Sequence, residues 1–483
     1  MKKIVLFAAL FLILFQVKAE LELPKVFADH MVLQRGQEIP VWGKADPKQW
    51  VNVTFQGKKY RVKADKEGQW MLKMDAFPKG GPYILSINTK KESKVLENVM
   101  MGDVWLLGGQ SNMEWPLIKT NSGEDSIKTA NHPNIRLFEV GRNLSLEEIE
   151  EVSEAKWSIC SPETVANFSA IGYYFARRIE TDMDVAVGLL DINWGGTLSE
   201  AWTSADALLT HADFKERVTK NQMEGPKDFS DPDLKKPNSW PTSLFYGMLE
   251  PVIPFAIKGA LWYQGESNAS RAYQYREIFP LMIEDWRAQW GQGDFPFLWV
   301  QLANFRQPKA EPVDSDWAEL REAQTMTLSL PNTAQAVIID KGEANDIHPR
   351  DKWTVAERLA KGAKKIAYGM DVVYSGPTYK SMEIQDDQIR ISFDHIGSGL
   401  VVNDKYGYVK GFAVAGADKK FHWVSGKQDG DQIVLETGDI KNPVAVRYGW
   451  ADNPDDVNLY NKEGLPANPF RTDDWKGITY GKR

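Results

Sequence analysis

The sequence of 483 residues predicts an α/β protein whose central part, residues 102–369, alternates buried strands with helices. Four apolar runs have the length and composition of buried parallel strands, at 185–194, 257–263, 297–302 and 334–340. Helices are predicted at 171–180, 273–290 and 353–368, the last from an apolar stripe with a period of about 3.6 residues. This alternation is typical of a doubly wound layer of helices packed on a parallel sheet.

Both flanks of this central part are rich in short strands separated by turn residues. Strands predicted at 50–55, 59–64 and 83–87 indicate a β-sandwich-like N-terminal domain at residues 20–101. It is interpreted either as a carbohydrate-binding unit or as a packing module. Strands predicted at 388–393, 411–415 and 432–436 indicate a β-rich region at residues 370–483. This region either stands alone or joins the N-terminal domain.

The first 19 residues have the pattern of a signal peptide. Lys2 and Lys3 precede an apolar run at 4–15, and the last three residues of the segment resemble a cleavage site. We therefore expect export to the periplasm or the outside of a bacterial cell, with a mature chain that begins at Glu20. The residue directly after the cleavage site is Glu20 rather than a cysteine, which argues against a lipid anchor, so we expect no membrane attachment after cleavage.

Charge and cysteine content exclude several classes of function. Cleavage would remove three lysines and take the formal net charge from −8 to −11, which disfavours nucleic acid and anionic lipid as partners. Cys160 is the only cysteine, so an intramolecular disulfide and cysteine-type metal sites are excluded. The six histidines are scattered without a paired spacing, and no metal or cofactor is predicted. The oligomeric state is not indicated.

A serine after a glycine pair is the most informative feature of the chain. An apolar run ends at Gly108 and Gly109, and Ser111 follows. Glycine permits a tight turn with positive φ, and such a turn would place the serine at the carboxyl edge of the sheet, where α/β folds bind ligands. Ser111 is therefore a candidate nucleophile. The alternative is an ordinary strand-to-helix joint capped by a serine.

A histidine follows the last predicted strand of the central part. His348 is the natural general base for a serine hydroxyl, and a carboxylate near its other nitrogen would fix the tautomer. Asp346 is two residues away, and in an extended loop its side chain would project to the same side. The alternative is a histidine that only marks the entry of a helix.

Two further turns follow predicted strands on the same edge of the sheet. Gly195 and Gly196 could expose a backbone N–H group to an oxyanion, because no Cβ blocks close approach. The side-chain amide of Gln264 could donate a hydrogen bond to the same oxyanion. Glu266, in the same segment, is interpreted as an anchor for neighbouring loops.

Together these motifs resemble the sialate O-acetylesterase family of SGNH-type hydrolases. The resemblance extends over nearly the whole mature chain and is carried by residues 27–35, 108–114, 195–197, 262–268, 346–349 and 458–472. It implies a flavodoxin-like three-layer α/β/α core flanked by N- and C-terminal sandwich-like or jelly-roll-like β domains, with no metal and no cofactor. It also implies Ser111 as nucleophile and His348 as base. The oxyanion hole would comprise the N–H of Ser111, an N–H of Gly195 or Gly196, and Gln264.

This chain departs from the wider SGNH pattern at two positions. Gln264 stands where many relatives have asparagine. Asp346 precedes His348 by two positions, where the usual spacing is three. The group that orients the imidazole is therefore Asp346, a backbone carbonyl, or another acid such as Asp340 or Glu200.

The expected substrate is an O-acetylated sugar. Trp115 and Trp194 flank the motifs and are candidates for stacking on a sugar ring, although packing explains them equally well. Arg271 and Arg350 are candidates for a substrate carboxylate. The predicted function is removal of O-acetyl groups from sialic acids through an acyl-enzyme. The alternatives are an esterase for acetylxylan or another polysaccharide, and a catalytically inert carbohydrate-binding protein.

Overall fold

The computed structural model describes residues 21–225, 229, 234–385 and 387–483. The predicted signal peptide at 1–19 and the cleavage position at Glu20 lie outside the described residues. The N-terminal strands are β1 (Val32–Gln34), β2 (Ile39–Lys44), β3 (Trp50–Phe55), β4 (Lys58–Lys63), β5 (Gln69–Met74), β6 (Gly80–Asn88) and β7 (Ser93–Gly109). The central strands are β8 (His132–Val140), β9 (Ala155–Cys160), β10 (Val187–Asn193), β11 (Gly259–Tyr263), β12 (Phe297–Val300) and β13 (Thr333–Ala336).

The strands of the C-terminal part are β14 (Thr378–Gln385), β15 (Gln388–Asp394), β16 (Leu400–Val402), β17 (Tyr408–Gly416), β18 (Phe421–Asp429), β19 (Gln432–Glu436), β20 (Pro443–Tyr448), β21 (Leu459–Asn461) and β22 (Phe470–Arg471). The α-helices are α1 (Ser111–Glu114), α2 (Gly123–Lys128), α3 (Pro162–Val165), α4 (Ala170–Met183), α5 (Ala205–Thr210), α6 (Ala212–Glu224), α7 (Ala272–Trp290), α8 (Asp316–Met326) and α9 (Lys352–Ile366). Shorter 3-10 turns include Leu117–Lys119, Ser199–Trp202 and Glu266–Arg271.

The central sheet has the strand order β13-β12-β11-β7-β10-β8-β9. All neighbours are parallel except β9, which runs antiparallel to β8 at the edge. Strands β10, β11 and β12 are buried along their whole length because helices cover the sheet. The α/β class predicted from the sequence is therefore confirmed. The five strands β10-β7-β11-β12-β13 have the order 2-1-3-4-5 when numbered along the chain.

Helices pack on both faces of this sheet. An added Cβ at Gly172 of α4 would lie 2.3 Å from Leu107, and one at Gly108 would lie 3.0 Å from Trp286 of α7. Leu107 and Gly108 are adjacent in β7, and successive residues of a strand face opposite sides. Helices α4 and α7 therefore lie on opposite faces, and α9 packs beside α4.

Strand β7 belongs to two parts of the molecule. Its first half pairs with β6 and β1, and its second half pairs with β10 and β11. The predicted domain boundary between 101 and 102 falls inside this strand of 17 residues. One continuous hydrophobic core contains buried residues from the N-terminal strands and from the central sheet.

The C-terminal strands form their own sheet in the order β14-β15-β19-β18-β17-β20-β22. They enclose a second hydrophobic core, which includes Ile391, Phe412 and Val446. The β-rich character predicted for residues 370–483 is therefore confirmed.

In the part of the chain that the structure describes, no helix combines the length and the apolar character needed to cross a membrane. Over the same residues, no group of three or more His, Cys, Asp or Glu side chains is arranged to hold a metal ion. The Cys160 thiol is buried, and burial raises its pKa to about 12.

Candidate active site

Ser111 begins helix α1 directly after the turn that ends β7. Gly109 has a φ of +134°, and a Cβ added there would lie 2.2 Å from the carbonyl oxygen of Tyr263. Only glycine fits this approach without displacing the backbone of β11. The N–H of Gln110 then donates to that same carbonyl over 2.9 Å. The turn therefore delivers the serine to the carboxyl edge of the sheet, between β10 and β11.

The imidazole of His348 faces this serine. His348 lies in the loop between β13 and α9, and its Nε2 is 2.8 Å from the Ser111 Oγ. The indole of Trp115 stacks on the imidazole with 4.7 Å between ring centroids and an interplanar angle of 16°. The Trp115 indole therefore covers one face of the His348 imidazole. Stacking on a sugar would have to use the opposite face of Trp115.

Of the three acids considered for orienting the imidazole, Asp346 is beside it. Its Oδ1 accepts the backbone N–H of His348 over 2.9 Å and lies 3.4 Å from the ring Nδ1. Asp340 is instead held by the guanidinium of Arg358 at 2.6 and 2.8 Å. The carboxylate of Glu200 is buried among other partners. The Nδ1 distance is longer than an ordinary N–H···O hydrogen bond, so Asp346 holds the loop more tightly than it holds the ring.

The environment of His348 favours its neutral form. Burial lowers the pKa of the imidazole, and the positive charges of Lys352 and Lys119 lower it further, whereas Asp346 opposes the change. A neutral imidazole with its proton on Nδ1 has a free lone pair on Nε2, which is the form that accepts a proton from a hydroxyl.

The glycine turn after β10 lies against the serine. A Cβ added at Gly195 would be 3.2 Å from the Ser111 Cβ. The Gly195 N–H donates to Glu114 Oε2 over 2.8 Å, so this predicted oxyanion donor is engaged by a carboxylate. Gly196 has a φ of +75° and open space at its Cβ position.

Glu114 is linked to a second charged group at the rim. Its Oε1 forms an ion pair with Arg142, whose guanidinium lies 5.3 Å from the ring centroid of Trp194. One face of Trp194 is therefore next to a cation rather than open for stacking on a sugar. Glu114 and Arg142 were not anticipated from the sequence.

The structure places the predicted oxyanion donor Gln264 in the interior, where its amide is engaged by other residues. Its amide is fully buried, and Nε2 donates to the Thr197 carbonyl over 3.1 Å and to Asn268 Oδ1 over 2.7 Å. Its Oε1 accepts from the hydroxyls of Ser199 and Tyr275. The Thr197 carbonyl oxygen only accepts hydrogen bonds, so the Gln264 atom that faces it must be the amide nitrogen. This contact determines the orientation of the amide. Both amide hydrogens are used in holding loops together, and none remains for an oxyanion.

The structure places Arg271, predicted to meet a substrate carboxylate, against an internal acid. Its guanidinium donates to the buried carboxylate of Glu200 over 2.7 Å, and Arg217 pairs with the same oxygen. These ion pairs and Asn268 lower the pKa of Glu200 despite burial, which opposes the change. Arg271 therefore neutralises an internal acid. Arg350 is 55% exposed and lies 4.0 Å from Asp346, at the rim of the site.

Three polar residues lie below the reactive pair, and two of them, Asn112 and Lys352, were not predicted from the sequence. Asn112, Lys352 and the previously noted anchor Glu266 form a hydrogen-bonded group beneath Ser111 and His348. Asn112 could have been predicted as a site residue from its position next to the serine. Nothing in the sequence indicated Lys352, because a lysine at the start of a helix is ordinarily exposed.

A hydroxyl, an imidazole and a carboxylate in series at a sheet edge are the arrangement of hydrolases that act through an acyl-enzyme. Comparison with known proteins defines this class more narrowly. A sequence model described as carbohydrate esterase, sialic acid-specific acetylesterase, matches residues 239–361. A crystal structure of a carbohydrate acetylesterase from Xanthomonas citri has a TM-score of 0.86 and 41% identity, over 94% of this chain and 100% of that one.

Curated relatives agree along most of the length. The sialate O-acetylesterase of Mus musculus is 29% identical over 506 residues, covering 92% of each chain. The sialate O-acetylesterase of Homo sapiens is 28% identical over 488 residues, covering 91% of this chain and 90% of the relative. The protein is a carboxylic ester hydrolase. Within that class, the chain belongs to the carbohydrate acetylesterases, and the curated relatives to which it is similar are sialate O-acetylesterases.

Proposed function

We propose that this protein is a serine esterase that releases acetate from O-acetylated sialic acids. The observation that carries the proposal is the 2.8 Å contact between the Ser111 hydroxyl and the His348 imidazole, made between residues far apart in the chain. Membership of the family supports an acetylated sugar as substrate.

We further propose that the core is the flavodoxin-like SGNH type. The order 2-1-3-4-5 of strands β10-β7-β11-β12-β13 supports this assignment. Ser111 follows β7, the strand at which the order reverses, and ligands of open α/β sheets bind at such a switch point.

The first step is acyl transfer to the serine. His348 Nε2 accepts the Ser111 proton while Oγ attacks the acetyl carbonyl carbon, which gives a tetrahedral intermediate with a negatively charged oxygen. The bond between the acetyl carbon and the sugar oxygen then breaks, and the imidazolium gives its proton to that oxygen, which leaves as a hydroxyl. Asp346 stabilises the imidazolium during this step.

The oxyanion needs N–H donors near the serine. The N–H of Ser111 has no acceptor within its own helix because it is the first residue of α1. The N–H of Gly195 becomes a second donor when the Glu114 carboxylate moves away from it, and the Gly196 N–H is an alternative in the same turn. Donors of this kind each contribute roughly 10²–10³ in rate.

Deacylation repeats these steps with water. His348 accepts a proton from water, the hydroxide attacks the acetyl-serine carbonyl, and the Ser111 Oγ leaves with the proton. The products are acetate and the free enzyme. Arg350 is the exposed cation that we assign to the carboxylate of a sialic acid, since charge-assisted bonds to carboxylates suit arginine.

The test is acetate release by Ser111→Ala. We expect a loss of at least about 10³-fold on O-acetylated sialic acid, because the acyl-enzyme cannot form without the hydroxyl. Ser158→Ala, on the edge strand β9, is the matched control and is expected to retain activity. Wild-type turnover by Ser111→Ala would remove the nucleophile assignment.

A second candidate substrate is an acetylated neutral polysaccharide such as xylan. The 41% identical Xanthomonas citri protein is a carbohydrate acetylesterase, and sialic acids are one of several kinds of carbohydrate that carry O-acetyl groups. The chemistry at Ser111 would be the same. Initial rates of acetate release from O-acetylated sialic acid and acetylated xylan, compared side by side, separate the two.

A further inference from the structure

Lys352 is a buried cation directly beneath the reactive pair. It is the first residue of α9 and is fully buried. Its Nζ donates to the Oδ1 of Asn112 over 2.5 Å and lies 5.4 Å from the ring centroid of Tyr263 and 5.8 Å from that of Trp115. Burial of an ammonium group is costly unless it is well compensated. A lysine in this position therefore needs a reason beyond packing.

Asn112 transmits this contact to the reactive residues. Its Nδ2 donates to Glu266 Oε1 over 2.6 Å and to the carbonyl oxygen of Ile347 over 3.0 Å. Asn112 follows Ser111 and Ile347 precedes His348. One side chain thus joins the serine turn, the histidine loop and the loop after β11, and Lys352 holds the oxygen end of that side chain.

The second effect of Lys352 is electrostatic. Its positive charge is among the causes that lower the pKa of His348, together with burial. Burial lowers the pKa of Lys352 to about 7, although Glu266 and Asp346 favour its charged form. The charged groups that face the imidazole or the ammonium are Lys119, Glu266, Glu343, Asp346, Arg350 and Asp351.

We propose that Lys352 is a positioning residue of the esterase site: through Asn112 it holds the serine turn against the His348 loop, and its ammonium places a positive charge beneath the reactive pair. The proposal rests on the proposed roles of Ser111 and His348. It extends them, since Lys352 touches no reacting atom and acts through its neighbours.

The test is the pH dependence of serine reactivity in Lys352→Met. The probe is diisopropyl fluorophosphate: an Oγ–P bond forms, the P–F bond breaks with loss of fluoride, and His348 takes the proton. Removal of a nearby positive charge makes imidazolium easier to form, so the pKa of the base rises. We expect the acid-side midpoint of the inactivation rate to move up by about one pH unit. At a pH near the wild-type midpoint, this shift lowers the inactivation rate of Lys352→Met several-fold.

Two further variants separate charge from packing. Lys352→Gln keeps an N–H donor for Asn112 without the charge, so it should move the midpoint as Lys352→Met does while losing less of the plateau rate. Lys361→Met is the matched control, because it changes the same residue type on the same helix away from the site. Its midpoint should equal that of the wild type. Thermal unfolding establishes that each variant is folded.

An unmoved midpoint in folded Lys352→Met or Lys352→Gln overturns the proposal, whatever happens to the plateau rate. An equal movement in Lys361→Met also overturns it, because the effect would then not depend on the site. Failure of the proposed function would give a different result: Ser111→Ala would react with diisopropyl fluorophosphate as fast as the wild type. The probe contains no sugar, so an incorrect sialic acid assignment leaves this test intact.

Discussion

At the scale of the residue, two glycines allow neighbouring backbone segments to approach the serine turn closely. Gly109 permits the backbone contact with Tyr263 that begins the turn, and Gly195 lets the next loop lie against Ser111. A methyl group at either position would enter space that backbone or reactive atoms already occupy. The geometry of the site therefore depends on the absence of side chains as much as on their presence.

Gly195→Ala should impair catalysis without unfolding the protein. The new Cβ would lie 3.1 Å from Glu114 Oε2 and 3.2 Å from the Ser111 Cβ, which forces one of them to move. We expect kcat/KM to fall by about tenfold, equivalent to roughly 1.4 kcal/mol. Steady-state kinetics with a small acetyl ester measures it.

The control for this prediction is Gly362→Ala. Its added Cβ would be similarly close to a neighbour, 3.3 Å from Ala334, but it lies on α9 rather than against the serine. Activity should remain near the wild-type value. Unimpaired kcat/KM in Gly195→Ala would show that the serine tolerates displacement of this turn.

Single residues also show where sequence reasoning succeeds and fails. The rule that ligand-binding residues follow parallel strands predicted Ser111 and His348 as site residues, and the structure brings them together. The same rule predicted Gln264, which follows β11 but faces inward. Its partners come from the segments that follow β10 and β11 and from helix α7, and the pattern along one strand contains no information about them.

At the scale of the element, α8 connects the catalytic sheet to the C-terminal part. Arg321 of this helix is fully buried and donates to the carbonyls of Leu302, Ala303, Ala451 and Asp452. Sequence analysis did not predict α8, because polar residues on this helix are buried with its apolar ones and hide the periodicity that marks an amphipathic helix.

Arg321→Met should lower stability strongly. The substitution keeps the apolar volume and leaves buried carbonyls without donors, which costs about 1–3 kcal/mol for each group left unsatisfied. We expect the free energy of unfolding to fall by roughly 3 kcal/mol or more. Urea denaturation followed by tryptophan fluorescence provides the value.

Arg178→Met is the comparison for this prediction. Arg178 is 42% exposed and pairs with Asp182 on the same helix, so its removal should cost less than about 1 kcal/mol. If the two variants unfold at the same urea concentration, the bonds of Arg321 do not hold α8 to the C-terminal part.

At the scale of the whole molecule, the N-terminal strands and the catalytic sheet form one structural unit. Their shared strand β7 contains Asp103, which is buried and accepts hydrogen bonds from Gln34 and Arg35 beside β1. Met100 and Met101, earlier in β7, belong to the core that spans both parts. The N-terminal part therefore supports the strand that carries the serine.

A chain that begins at Gly102 should not fold. It would lose the β1 partner of β7, leave Asp103 without the Arg35 guanidinium and expose apolar surface of the shared core. We expect little soluble protein and no cooperative thermal transition by circular dichroism. A soluble, cooperatively folding fragment with esterase activity would contradict this and make residues 21–101 an independent module.

The α/β class, the β-rich flanks and the segments that meet at the sheet edge can be predicted from the sequence, because hydrophobic periodicity and glycine turns are local properties. Which polar groups pair is known only from the folded chain. Folding joined Asp346 to His348, occupied the amide of Gln264, gave Arg271 to Glu200 and placed Lys352 beneath the serine. Such pairings depend on which loops meet across the sheet, and the desolvation cost that enforces them exists only once the chain has folded.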